Sequence, residues 1–111
     1  MHFKVFYFFE RSGESVSSVN AVEMSARDIR EQLLGCFHGE DDYLGILDGR
    51  ENVLQILGEP NGERFWVELP IEAAKASYGR YMSKTELDEL IQSLPQVFDR
   101  EQIPGLQYKP W

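Results

Sequence analysis

Apolar residues crowd the first strand-like stretch, 2–10 (HFKVFYFFE). Phe3, Val5, Tyr7 and Phe9 share one face of an extended chain there, and Lys4, Phe6 and Phe8 the other. Both faces are apolar beyond Lys4, so an inner strand of aromatic and β-branched residues is predicted. Arg11-Ser12-Gly13-Glu14-Ser15 carries turn chemistry, and 16–24 alternates weakly enough to read as one antiparallel partner strand. Ser25 then stands as an N-cap, with Asp28 placed to complete a capping box. Ala26, Ile29, Leu33 and Phe37 follow at helical spacing beside Leu34, and Gly39 is a stop signal. Two short apolar runs, 43–47 and 52–57, flank Asp48-Gly49-Arg50-Glu51, a hairpin loop. A second turn at 58–62 leads to 63–69, where Phe65, Val67 and Leu69 oppose Arg64, Trp66 and Glu68. These three strands form a meander.

The stretch 70–82 supports three readings: a helical turn, a loop or an edge strand, with Pro70 expected to break the ladder. Ser83-Lys84-Thr85-Glu86 is a full capping box before Leu87, Leu90, Ile91 and Leu94, and Pro95 closes that helix. Pro104, Gly105 and Pro110 predict an irregular tail over 96–111, with Val97, Phe98, Ile103, Leu106 and Trp111 available to pin it. The order is β-β-α-β-β-β-α. It predicts an α+β fold, an antiparallel sheet of about five strands with two helices on one face, in a single domain over 1–111.

Charge sharpens this picture. The chain's 111 residues hold 19 acids and 11 Lys or Arg, a formal net charge of −8. Between Gly39 and Glu72 lie nine acids against two bases, so nearly the whole imbalance sits on the meander and its loops. An acidic balance argues against a chain that grips phosphate backbones, and no apolar run approaches a membrane span. The N-terminal run lacks a basic leader and a small-residue cleavage site, so it does not read as a signal peptide. One cysteine cannot make an intrachain disulfide, and a reducing, cytoplasmic setting is expected. Strands and tight turns hold carboxylates at fixed spacing, where their mutual repulsion is relieved by a basic partner. Plain acidic surface for solubility accounts for the same counts.

Catalytic chemistry finds little support. Cys36 and His38 are two apart, which on a helix turns their side chains away from each other. One cysteine and two histidines do not make a structural zinc set, and Glu40-Asp41-Asp42 lacks calcium-loop spacing. With 19 acids, adjacent carboxylates are expected by chance and do not by themselves mark an acid–base pair. No glycine-rich phosphate cradle and no basic amphipathic helix occurs. No catalytic residue, metal or cofactor is therefore predicted. The expected partner surface is Glu40, Asp41, Asp42, Tyr43, Asp48, Glu59, Glu63 and Glu68, with Trp66 and Tyr78 as aromatic anchors. Trp66 has two places open to it: an uncovered sheet face beside carboxylates, or a core under 70–82 or the tail.

The segments Phe65-Trp66-Val67-Glu68-Leu69-Pro70, Ser77-Tyr78-Gly79-Arg80-Tyr81-Met82-Ser83 and Thr85-Glu86 with Leu87-Leu90-Ile91 cover much of the second half of the chain. This pattern is a strand ending in Glu-x-Pro, a glycine-containing stretch and a capped terminal helix. It resembles the immunity proteins of bacterial polymorphic toxin systems. The resemblance implies neutralisation of a cognate toxin domain, with carboxylates laid over a basic active-site cleft. Two other functions stay open: a small enzyme with a pocket under the central strands, and an adaptor that dimerises through an edge strand.

Overall fold

The structure is a computed structural model and describes residues 2–111. The aromatic run at the N-terminus forms β1 (His2–Phe9), an inner strand as its two apolar faces require. A turn closed by Gly13 (φ 73°), whose N–H bonds to the Phe9 carbonyl at 2.9 Å, reverses the chain. The partner strand is not one piece. It divides into β2 (Glu14–Val16) and β3 (Val22–Ser25), both antiparallel to β1. Val16 opposes Tyr7 and Val22 opposes Val5, so residues 17–21 bulge outward opposite Phe6 alone. Val19 at the tip of this bulge is exposed, so no inward apolar residue holds the segment to the ladder.

Ser25 caps the first helix through Oγ, which accepts from Asp28 N at 3.1 Å. The helical path begins as α1 (Ala26–Asp28), widens to a π turn over Ile29–Leu33 and tightens to a 3₁₀ turn over Leu34–Cys36. Ile29, Leu33, Leu34 and Phe37 are buried, so the apolar stripe holds although the helix is not regular. The meander follows as β4 (Tyr43–Leu47), β5 (Val53–Gly58) and β6 (Arg64–Ile71).

At 70–82 the chain makes a three-residue 3₁₀ turn (Glu72–Ala74) and returns as β7 (Ala76–Ser83). Pro70 does not break the ladder; it pairs with Ser77. The β5–β6 pairing ends at Gln55 and Glu68, so Pro70 lies where β6 has a neighbour on one edge only, a position that tolerates proline. The capping box forms as expected and starts α2 (Lys84–Gln92). The tail is irregular only to residue 106. Its end becomes β8 (Gln107–Pro110), antiparallel to β7, because β7 would otherwise present a bare row of backbone groups.

The fold is α+β, with eight strands among the described residues where about five were expected. Along the sheet β2 and β3 share one side of β1, and β4, β5, β6, β7 and β8 follow in order on the other. Phe3, Val5, Phe9, Leu44, Ile46, Leu54, Ile56, Phe65 and Val67 face one way and bury against the stripes of α1 and α2. Arg30 and Asp88 join the two helices with paired bonds of 3.0 and 3.1 Å. Phe98 and Ile103 of the tail complete this core, Phe98 stacking on Phe3. Among the described residues, neither α1 nor α2 lies on the opposite face.

Candidate functional surface on the open sheet face

Register decides which side chains meet on the open face. Phe8 opposes Tyr43, Tyr43 opposes Leu57, Leu57 opposes Trp66, and Trp66 opposes Tyr81. One cross-strand row of five large side chains therefore spans β1, β4, β5, β6 and β7. Phe8, Tyr43, Leu57 and Trp66 are half-buried, and Tyr81 is exposed. Phe6, Leu47 and Val53 extend the same face toward the other strand ends, each half-buried.

Two glycines set the relief. The Phe6 ring lies across Gly45, and the Trp66 ring across Gly79, where an added Cβ would stand 2.5 Å from Trp66 Cζ2. Removing side chains from those positions lets the aromatic rings lie flat on the sheet. Trp66 is then fixed on several sides. Its Nε1 donates to Glu68 Oε2 at 2.7 Å, its ring meets Tyr81 edge-to-face at 4.9 Å, and Lys109 Nζ stands 4.8 Å from its centroid. Arg64 in turn stacks on Tyr81 at 3.8 Å and pairs with Glu59. Trp111 closes the neighbouring side by donating from Nε1 to the buried Ser77 Oγ at 2.8 Å. Between these groups lies a groove of about 440 Å³ lined by Glu40, Glu59, Trp66, Glu68, Tyr81 and Trp111, among others.

Comparison with known protein families, curated proteins and solved structures gives no match. The residues themselves therefore carry the functional reading.

The expected carboxylate ribbon is divided by the meander's own geometry. Successive turns fall at opposite ends of strands five to eight residues long. Glu40, Asp41, Glu59 and Glu63 lie at the end that the aromatic row borders, together with Glu10 from the β1–β2 turn. Asp48, Glu51 and Glu72 belong to turns at the far end. Glu10 and Asp41 are close enough that Asp41, by hydrogen bonding and by charge, raises the Glu10 carboxyl above its usual range.

Two expected contact residues are internal. Asp42 is 2% exposed; its carboxylate accepts from the backbone N–H of Glu10, His38 and Gly39. Asp48 is 7% exposed; its carboxylate accepts from Arg50 N, Asn52 N, Asn52 Nδ2 and Phe98 N. Burial pushes both carboxyls up, and these donors reverse the effect, leaving each below the ordinary aspartate range. They hold loops in place and, being buried, do not belong to the exposed surface expected for a partner. Tyr78 is removed for another reason: it pairs with Leu69 and Tyr108 on the helix-bearing face, opposite to Trp66. Its hydroxyl accepts from Arg100 Nη1 at 3.1 Å, at the mouth of a separate cavity of about 530 Å³ that Phe98, Pro70 and Ile71 also line.

Cys36 and His38 look to different neighbours. The thiol donates to the Gln32 carbonyl and is raised by burial, while His38 Nδ1 lies 3.3 Å from Arg11 Nη1. Among the described residues no group of three or more His, Cys, Asp or Glu is placed to hold a metal ion, and no helix is long and apolar enough to cross a membrane.

The surface thus retains Glu40, Asp41, Tyr43, Glu59, Glu63, Trp66 and Glu68 and gains Phe8, Leu57, Tyr81, Lys109 and Trp111. Alternation alone places Phe8 and Trp66 on second faces of their strands. Only the strand register shows that they share a row.

Proposed function

We propose that this chain is a non-enzymatic binding protein that docks a basic protein partner on its open sheet face, in the manner of an immunity protein neutralising a toxin domain. The carrying observation is the row of large side chains Phe8–Tyr43–Leu57–Trp66–Tyr81, four of them aromatic, bordered at one end of the strands by Glu10, Glu40, Asp41, Glu59 and Glu63. Large apolar side chains with a charged border along one side share features of a protein interface: aromatic anchors beside a polar rim. An uncovered apolar sheet face also has a desolvation reason to bind something. The acidic rim selects a cationic partner and speeds its approach.

The test begins with affinity capture from the source organism by the native chain, followed by kinetics on the captured partner. A basic protein is expected, with Trp66→Ala weakening its binding by about 2 kcal/mol or more. The combined Glu40→Lys, Asp41→Lys, Glu63→Lys variant is expected to slow association about tenfold at low salt and to flatten the salt dependence. Capture that ignores both changes, in variants with native circular dichroism, removes this face from the function.

A second reading rests on the 530 Å³ cavity, where Arg100 and Tyr78 stand over apolar walls as a small-molecule pocket would have them. Arg100→Ala should abolish any ligand binding there and leave partner capture unchanged.

A further inference from the structure

The groove beside Trp66 contains a cation already, supplied by the chain itself. Lys109 lies on β8, the edge strand, all four of whose residues are exposed. Its ammonium sits over the Trp66 ring and, among the described residues, has no carboxylate partner. Two carboxylates of the same groove, Glu40 and Glu68, likewise have no ion-pair partner, whereas Glu59 is taken by Arg64. The groove thus holds one positive charge and two carboxylates that form no ion pair among the described residues, one of which, Glu68, accepts the Trp66 Nε1–H. Its walls are the indoles of Trp66 and Trp111 and the ring of Tyr81, whose π faces attract cations. A second such contact already exists next door, where the Arg64 guanidinium stacks on Tyr81.

We infer that this groove is a slot for an arginine side chain of the basic partner, and that Lys109 occupies it in the free protein as an internal competitor. Arginine fits because a planar guanidinium stacks on an indole and can also engage a carboxylate such as that of Glu68. Lys109 can give way because its strand is exposed and, among the described residues, the aromatic contact alone holds its head group. This deepens the proposed function and rests on it for the identity of the occupant.

The test uses acetylated hexa-arginine amide as probe and tryptophan fluorescence as readout. The chain has two tryptophans, and both line the groove. Hexa-arginine is expected to quench the emission saturably, and Glu68→Gln to weaken binding about threefold. Lys109→Ala should tighten binding about threefold, because the ring loses its resident cation. Lys84→Ala removes the same charge from the start of α2, outside the groove, and should not match that gain. Equal gains in the two lysine variants would reduce the effect to net charge and overturn the slot, as would the absence of any saturable quench. Lys109 is exposed, so its variant is expected to fold, which circular dichroism checks. The two readings fail separately. Partner capture lost in Trp66→Ala, with the two lysine variants alike, keeps the docking face and discards the slot. Hexa-arginine binding with the expected ranking, and partner capture indifferent to Trp66→Ala, keeps the slot and discards the face.

Discussion

Asp48 joins more of this molecule than its place in a hairpin loop suggests. One carboxylate holds Arg50 N and Asn52 N in the β4–β5 turn and, across the molecule, Phe98 N of the tail. Asp48→Ala strands those donors, the Phe98 N–H in a buried setting, and should cost about 3 kcal/mol, read as a lower urea midpoint. The pH dependence has a defined sign. Asp42 and Asp48 both have folded pKa values below the unfolded value of 3.8. Their contribution is therefore present in full above that pH and is lost as pH falls through the folded values. Asp48→Asn should unfold with a shallower acid limb than the native chain. Glu10 runs the other way: its raised carboxyl makes the folded state less stable as pH rises through 4.5 toward the folded value. Glu10→Gln should therefore gain stability near neutral pH, and thermal melts at pH 4 and pH 7 measure the difference.

At the scale of elements, the two helices show how far a local signal reaches. Ser83 and Glu86 exchange bonds of 3.1 and 3.0 Å, and Arg80 also binds Glu86, so α2 begins where its capping box says. Ser83→Ala should cost about 1 kcal/mol, measured by urea unfolding. The first helix has only half of the expected capping box, Ser25 Oγ accepting from Asp28 N with no return bond from the Asp28 carboxylate, and it widens and then tightens within eleven residues. Its apolar positions were legible because burial of Ile29, Leu33 and Leu34 sets them. Its hydrogen-bond pattern was not, because packing against β1 and α2 chooses that. The split of the second strand has the same cause: residues 17–21 contain Val19 and Ala21 and read as weak alternation, but 17–20 are exposed and only Ala21 is half-buried. On the open face, Gly79→Ala would drive a Cβ toward the Trp66 ring and displace it, costing on the order of 1 kcal/mol and altering the Trp66 emission.

For the whole molecule, β8 decides what the sheet edge offers to solvent. It covers β7 through four residue pairs, and Trp111 extends the cover through its N–H to the Lys75 carbonyl and its indole to Ser77. Removal of residues 107–111 would bare β7 and leave Ser77 without its partner. The truncated chain is expected to self-associate through that edge, seen by light scattering as mass above the monomer, with the full chain as reference. The charge map also belongs to this scale. Nine acids crowd one stretch of sequence, but a meander sends alternate turns to opposite ends. The rim on the aromatic side is therefore built of four of them plus Glu10, from the β1–β2 turn.

The order of residues alone determined which positions face the core, because alternation and helical spacing record burial directly. It also determined the cap of α2, which depends on four neighbouring residues, and the surplus of negative charge. Only the tertiary structure decided that Asp42 and Asp48 turn inward, that Tyr78 and Trp66 lie on opposite faces, and that the tail returns as β8 to place Lys109 over an indole. Each of those outcomes depends on strand register or on contacts between residues far apart in the chain, and a period of two names a face without naming the neighbour across it.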